Sequence, residues 1–163
     1  MKPYRGLPAT LGSTAAQVRV IERLGGKTMK GSCLCDAVRF SVTGTPTAFD
    51  LCHCSRCRAA SGSAFLAELE FTTAEFEWIN GRSLVKTYEA PVRNRPPGYR
   101  RAFCTVCGAP VPIVDREIIR VPAGTLEDDP GVRPQRHIFV DFEAPWFQIT
   151  DALDQFGTKP KPG

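Results

Sequence analysis

The chain has 163 residues, of which 42% are hydrophobic and 23% charged, and its formal net charge is +4. These values are typical of one soluble globular domain that buries its core without the help of disulfides. No apolar run approaches the length of a membrane span and the N-terminus lacks the apolar stretch of a signal peptide, so we expect a cytoplasmic protein with no membrane partner.

Residues 1–28 are predicted to be an N-terminal extension. They contain no cysteine and are rich in turn-forming residues at their start. A short helix is expected to begin at Ser13-Thr14, continue with apolar residues at helical spacing to Leu24 and end at Gly25. Residues 29–163 are predicted to form a single zinc-binding β domain, and the sequence leaves open whether the extension packs against it.

Short segments of alternating polarity predict β-strands from residue 31 onward. They are residues 37–43, 63–69, 76–79, 84–88, 99–103, 111–114, 118–121 and 137–140. Turn-forming residues separate many of them, and the 14 prolines of the chain do not suit long helices. We therefore predict a mainly β fold with antiparallel strands and few short helices, and a turn at residues 59–62.

Seven cysteines occur in three short groups, Cys33 and Cys35, then Cys52, Cys54 and Cys57, then Cys104 and Cys107. An odd number of cysteines at such short spacings does not suit a disulfide framework, whereas it does suit metal binding. Residues two apart in an extended segment point the same way, so Cys33 and Cys35 can share an ion. Cys107 follows Cys104 by three residues and precedes Gly108, which is the pattern of a zinc knuckle.

The number of thiols favours one closed and one open zinc site. Zinc takes four protein ligands in a structural site and three in a catalytic site. We expect Cys52, Cys54 and Cys57 (the three-thiol cluster) to hold one ion, and the other cysteines to hold a second (the four-thiol cluster: Cys33, Cys35, Cys104 and Cys107). The competing arrangement joins Cys52, Cys54 and Cys57 to Cys104 or Cys107 and leaves an awkward remainder.

Two Zn²⁺ ions and seven thiolates would together contribute −3 to the charge, so that the formal +4 falls to +1. A basic loop remains, formed by Arg93, Arg95, Arg100 and Arg101 around Pro96-Pro97-Gly98. It is either a solvated loop or a rim that attracts an anionic small substrate. Four arginines in one loop do not establish the binding of a polyanion, so a nucleic-acid partner is unlikely.

Three thiolate ligands predict thiol chemistry at the open site. They leave the metal site with a net charge of −1, so it would polarise a carbonyl group weakly but would still deprotonate an incoming thiol. That thiolate would be positioned to attack an electrophilic carbon. We therefore expect a low-molecular-weight thiol as the substrate.

His53 and His137 are the two histidines of the chain. His53 lies between Cys52 and Cys54, so its side chain is expected to point away from their ion and to make a hydrogen bond behind the site. His137 is a candidate catalytic residue that moves a proton near the substrate. The alternatives are that it closes the three-thiol cluster as a fourth ligand, or that it is a buried strand residue with satisfied hydrogen bonds.

The cysteine segments and several later motifs resemble those of one known family. The matching segments are residues 31–35 (GSCLC), 52–58 (CHCSRCR), 61–63, Phe65, 103–108 (FCTVCG), 124–130, 136–139 and 145–146. Together they resemble the glutathione-dependent formaldehyde-activating enzyme family, also called the centromere protein V family, over about residues 31–156.

This resemblance implies a β-rich fold similar to the Mss4-like class. It also implies a structural zinc at the four-thiol cluster and a labile, catalytic zinc at the three-thiol cluster. The implied activity is that of a carbon–sulfur lyase that joins glutathione and formaldehyde to give S-hydroxymethylglutathione, and catalyses the reverse. Asp36 stands where the family usually has glycine, so the turn at this position is expected to differ.

We therefore predict a zinc-dependent, carbon–sulfur lyase-like enzyme with two Zn²⁺ ions per chain. It would bind glutathione or a similar thiol and add it to formaldehyde or a related electrophile, with Arg58 and the basic loop attracting the carboxylates of the thiol. The alternatives are a non-catalytic, zinc-stabilised binding module and a thiol-based metal or redox sensor.

Overall fold

The computed structural model describes residues 26–72, 74–92 and 98–160. Most of the regular structure within these ranges is β-strand, as predicted, and the strands are β1 (Lys27–Ser32), β2 (Arg39–Gly44), β3 (Ala48–Cys52), β4 (Leu66–Phe71), β5 (Glu75–Asn80), β6 (Val85–Glu89), β7 (Arg100–Cys104), β8 (Pro110–Val111), β9 (Ile113–Val114), β10 (Ile119–Pro122), β11 (Arg136–Ile138) and β12 (Asp154–Phe156). One α-helix, α1 (Ser55–Ser61), and three 3₁₀ turns (Arg82–Leu84, Ala123–Thr125 and Val140–Phe142) lie in the same part of the chain. The helix predicted to end at Leu24 lies outside the described residues.

The strands form three sheets. Their orders are β1-β2-β5, β12-β11-β3-β4-β10-β9 and β6-β7-β8. Neighbouring strands pair in the antiparallel sense, as expected, except that β11 runs parallel to both β3 and β12. The parallel pairs need long connections, and here a stretch of more than eighty residues joins β3 to β11.

The main hydrophobic core lies between the first sheet and the six-stranded sheet. It contains Met29, Phe40, Val42, Phe49, Leu69, Phe71, Ile119 and Val121. In β2, Phe40 and Val42 are two residues apart and point into this core, as the alternating sequence indicated. All five residues of β3 are buried. A strand buried on both faces shows no alternation, which explains why β3 was not predicted.

The prediction of a turn at residues 59–62 is wrong, because residues 59–61 form the end of α1. The helix begins after Cys54, whose side chain accepts a hydrogen bond from the backbone N–H of Cys57 and so acts as the N-cap. It ends at Gly62, which has a φ of 64° and donates its N–H to the carbonyl of Arg58. The spacing of Cys54 and Cys57, which predicts a shared metal ion, therefore also places an N-cap at the start of the helix.

Asp36 lies in the turn that carries the first two cysteines. Its φ of 60° is in the left-handed region that glycine favours. Aspartate is among the few other residues that adopt this region readily. The turn was expected to differ, but it keeps a backbone that glycine would also adopt. The carbonyl of Cys33 accepts a hydrogen bond from the N–H of Asp36, and the N–H of Cys33 donates to the carbonyl of Val38.

None of the helices within residues 26–72, 74–92 and 98–160 combines the length and the apolar character that crossing a membrane requires.

We expect Gly81→Ala to destabilise the fold by at least about 2 kcal/mol, since it adds left-handed strain and a steric clash. Gly81 has a φ of 70°, and a Cβ there would lie 2.0 Å from the carbonyl oxygen of Ala37. Gly62→Ala is the matched control, because Gly62 has a φ of 64° and open space around its Cα, so it should lose only about 1 kcal/mol. Urea denaturation of the three proteins measures the difference, and equal losses for the two variants would contradict the predicted clash.

Candidate metal centres and the adjoining cavity

The structure brings the four cysteines of the four-thiol cluster together. Cys33 and Cys35 come from the turn after β1, and Cys104 and Cys107 come from the end of β7 and the turn that follows. The four sulfur atoms lie within 4.8 Å of one another. The Sγ atoms of Cys33 and Cys35 are 3.6 Å apart, close to the ~3.8 Å expected for two thiolates on one tetrahedral zinc. The cluster can therefore hold a metal ion.

Backbone groups and apolar side chains shape the four-thiol cluster. The N–H of Val38 donates a hydrogen bond to the Sγ of Cys33 at 3.3 Å. Gly108 has a φ of 73° and donates its N–H to the carbonyl of Cys104, which closes the second turn. Val38, Ala102, Val111 and Ile113 pack around the buried cysteines. The cluster lies where the β1–β2 turn meets the β6-β7-β8 sheet, so a metal there would join these two parts.

The three-thiol cluster lies at the start of α1. Cys52 is the last residue of β3, Cys54 caps the helix and Cys57 lies in its first turn. The three sulfur atoms are within 4.8 Å of one another, and no other Cys, His, Asp or Glu of the described residues joins the group. The seven cysteines form no disulfide. This cluster can also hold a metal ion, and it supplies three of the four ligands that zinc takes.

The three thiols of this cluster oppose one another's ionisation. The pKa of Cys54 is lowered, mainly because the thiols of Cys52 and Cys57 donate hydrogen bonds to its thiolate. The pKa of Cys52 is raised, mainly because its thiol donates to Cys54, and the pKa of Cys57 is raised, first by its hydrogen bond to Cys52 and then by that to Cys54. One negative charge is thus stable in the cluster while further charges repel it. A divalent cation removes this repulsion, so the donor set suits a metal ion.

His53 and His137 lie side by side in the interior. The Nε2 of His53 lies 2.7 Å from the Nδ1 of His137, and the Nε2 of His137 lies 3.0 Å from a carboxylate oxygen of Asp151. The histidine side chains are buried, while that of Asp151 is 49% exposed. Both ring nitrogens of His137 are thus occupied by hydrogen bonds, so this arrangement does not supply His137 as a fourth metal ligand.

The charge of Asp151 sets the proton positions in this chain of hydrogen bonds. The pKa of Asp151 is lowered, first by a hydrogen bond from the backbone N–H of Leu153, so its carboxylate is an acceptor. The pKa of His53 is lowered because burial disfavours its charged form. A carboxylate only accepts, so the Nε2–H of His137 donates to Asp151, and the Nδ1 of His137 then accepts from the Nε2–H of His53. His53 is therefore held in one tautomer and orientation between two of the thiols.

Further contacts fix the segment that carries Cys52 and Cys54. The N–H of His53 donates to the carbonyl of Ile138 in β11, and the carbonyl of His53 accepts a hydrogen bond from the Nε of Arg58 at 3.2 Å. Phe65 and Phe147 pack against the ring of His53. Arg58 thus braces the site through its Nε atom, and its expected role in attracting a substrate stays a prediction.

We expect His137→Leu to destabilise the metal-loaded protein by about 2–3 kcal/mol, because it leaves the donor of His53 buried without a partner. Asp151→Asn is the control: the amide oxygen still accepts from His137, so its loss should be clearly smaller. Urea denaturation measures both. A His137→Leu variant as stable as the unmodified protein would show that the buried hydrogen bond has no net value.

A cavity of about 390 Å³ lies between α1 and the β6-β7-β8 sheet. Its lining includes Arg56, Tyr88, Tyr99, Arg101, Phe103 and Pro110, and none of the described residues that line it is acidic. Tyr99 also packs against the cysteines of the three-thiol cluster. Its pKa is raised, first by burial and then by the nearby charge of Cys57. Tyr99 therefore joins the cavity to this cluster.

Arg100 and Arg101, the two described arginines of the basic loop, have different surroundings. Arg100 pairs with Asp115 and Glu89 at the surface. Arg101 is only 7% exposed; it pairs with Glu68 at 3.0 Å and lines the cavity. Arg93 and Arg95 lie outside the described residues. The sequence placed these arginines together, but successive residues of β7 point to opposite sides.

The fold and these sites define a mainly β protein with two cysteine clusters that can each hold a metal ion. The family model described as glutathione-dependent formaldehyde-activating enzyme matches residues 28–142, and the chain belongs to this family. A protein of Halomonas elongata, provisionally named a glutathione-dependent formaldehyde-activating enzyme, is 28% identical over 126 residues, which cover 74% of this chain and 80% of that protein. A solved structure of a Rhodobacter sphaeroides protein is similar with a TM-score of 0.43 and 24% identity, covering 65% of this chain and 92% of that chain.

Proposed function

We propose that this protein is a zinc-dependent carbon–sulfur lyase that joins glutathione, or a similar small thiol, to formaldehyde and catalyses the reverse reaction. The observation that carries this proposal is the three-thiol cluster, which has three ligand atoms within 4.8 Å of one another and a cavity next to it. Membership of the family supports the choice of glutathione and formaldehyde.

The two clusters would have different roles, one structural and one catalytic. Cys33, Cys35, Cys104 and Cys107 would hold a structural zinc, since four thiols complete a tetrahedral site. Cys52, Cys54 and Cys57 would hold the second zinc, which when bound lowers the pKa of an incoming thiol and so raises its nucleophilicity. Cytoplasmic surroundings suit this chemistry because they keep the seven cysteines reduced.

The chain itself would position the reactants and exclude water. The cavity beside Tyr99 offers apolar walls from Phe103 and Pro110 and cationic groups from Arg56 and Arg101, which suit the body of a peptide thiol. In the forward reaction the sulfur forms a bond to the carbon of formaldehyde, and the carbonyl oxygen gains the proton that the thiol gave up. Holding sulfur and carbon together lowers the entropic part of the barrier.

We propose that His137 acts as a positioning residue. It contacts His53 and Asp151, and through His53 it orients the segment between two thiol ligands. A fixed orientation of this segment keeps the three sulfur atoms in place for metal binding. The same contacts support its hydrogen-bonding role over that of a fourth ligand.

Exchange NMR spectroscopy of glutathione mixed with formaldehyde tests the proposed activity. The zinc-loaded protein is expected to raise the exchange rate between glutathione and S-hydroxymethylglutathione above the rate in buffer, in proportion to protein concentration. Protein stripped of the second metal by a chelator is the control and should give the buffer rate. Identical rates with loaded protein and with buffer would reject the lyase function.

A further inference from the structure

Arg101 has hydrogen-bonding capacity that no described residue uses. Its side chain is 9% exposed, and its Nη1 atom pairs with Glu68 at 3.0 Å. Its Nη2 atom is buried and has no hydrogen-bond partner among the residues that the structure describes. A buried N–H group of a guanidinium without an acceptor is costly, so such groups are normally paired. The unused donor indicates that an acceptor from outside the chain belongs next to it.

Tyr99 provides a second polar group at the same place. Its hydroxyl is buried, has no partner within hydrogen-bond distance in the described part of the chain, and lies close enough to the thiol of Cys57 to interact with it. Tyr99 and Arg101 both line the cavity, and they lie two residues apart in one extended segment. Two residues so spaced point to the same side. The cavity thus contains two neighbouring groups that can donate hydrogen bonds to one ligand.

The charge of the cavity wall specifies the chemistry of that ligand. Among the described residues that line the cavity, Arg56 and Arg101 are cationic and none is acidic. Arg56 lies over the ring of Tyr99, with its Cζ atom 6.0 Å from the ring centre. A cavity with cations and unused donors fits an anionic acceptor, and the planar fork of a guanidinium matches a carboxylate.

We propose that Arg101, assisted by Tyr99, binds a carboxylate of the thiol substrate and so makes the site selective for thiols that carry a carboxylate away from the sulfur. This inference deepens the proposed function and rests on it, because the thiol must reach the three-thiol cluster. Glu68 holds the guanidinium from one side, which leaves the Nη2 atom for the ligand. Arg101 is a specificity-determining residue in this arrangement.

Calorimetric titration with two thioethers tests the carboxylate contact separately from thiol chemistry. S-methylglutathione keeps both carboxylates but has no thiol, and its diethyl ester lacks the carboxylates as well. The zinc-loaded protein is expected to bind S-methylglutathione about 10- to 100-fold more tightly than the diester, the range given by a charge-assisted hydrogen bond. Equal affinities for the two probes would overturn the inference.

Variants assign the discrimination to Arg101. Arg101→Met removes the partner of Glu68, whose side chain is only 21% exposed, so the double variant Arg101→Met with Glu68→Gln is tested beside it to keep the fold. Both should bind the two probes equally. Arg100→Met is the matched control, since Arg100 pairs at the surface and does not line the cavity, and it should keep the discrimination. Discrimination that survives in the folded double variant would overturn the inference.

The outcomes separate this inference from the proposed function. Binding of glutathione without any binding of S-methylglutathione would overturn the carboxylate contact and leave the thiol chemistry standing. Discrimination between the probes without acceleration of the glutathione–formaldehyde exchange would support the contact and reject the lyase activity. Binding of neither glutathione nor S-methylglutathione would reject both.

Discussion

Replacing Cys104 with serine is expected to unfold the protein. Cys104 is fully buried in the four-thiol cluster, which joins the β1–β2 turn to the end of β7. A structural zinc contributes on the order of 10 kcal/mol to folding, whereas a whole domain is stable by only about 5–15 kcal/mol. A serine hydroxyl is a poor ligand for zinc, so most of this contribution should be lost. Far-UV circular dichroism and metal content per chain measure the result.

Val106→Ser is the matched control for this prediction. Val106 lies in the same turn between Cys104 and Cys107, but its side chain points to solvent and is 63% exposed. This variant should fold and keep two metal ions per chain. A Cys104→Ser protein with a native spectrum and unchanged thermal stability would show that the four-thiol cluster does not stabilise the fold.

Replacing Cys54 with serine is expected to remove the activity while leaving the protein folded. The three-thiol cluster would then keep only two sulfur ligands, and two thiols do not hold zinc against competition. Serine is a favoured N-cap residue, so α1 keeps its cap at this position. We expect metal content to fall from two ions to one per chain, and the glutathione–formaldehyde exchange rate to fall to the rate in buffer.

Ser55→Ala controls for a change at the start of α1. Ser55 is exposed and its side chain is not part of either cluster, so this variant should keep both metal ions and the full exchange rate. Metal analysis together with exchange spectroscopy distinguishes the possible causes. A Cys54→Ser variant that loses one ion but retains catalysis would place the reaction elsewhere in the molecule.

The cysteine clusters illustrate what the sequence predicts well. Short spacings place two cysteines on one side of a turn, and the number of thiols then limits how the pairs combine. The structure gathers Cys33 and Cys35 with Cys104 and Cys107, and the other three cysteines form a separate cluster. The mainly β fold followed in the same way from alternating segments such as β2, where Phe40 and Val42 are buried while Arg39 and Ser41 are partly exposed.

The supporting contacts could not be predicted, because they join residues that are distant in the chain. His53 and His137 are 84 residues apart, and only the parallel register of β11 beside β3 makes them neighbours. Asp151 carries no local signal that pairs it with a histidine. The two donors at the cavity were missed for a related reason: adjacent arginines in β7 look equivalent in the sequence, but only Arg101 is buried.

The position of β11 has a consequence for how the protein is made. This short strand fits between β3 and β12, and its Arg136 pairs with Asp50, which was synthesised 86 residues earlier. Contacts between such distant residues form late, because a long loop must close first. Newly made chains therefore expose the Cys52–Cys57 segment before His137 forms its hydrogen bond with His53. Refolding under reducing conditions with zinc present from the start should accordingly give a higher yield than adding zinc after collapse.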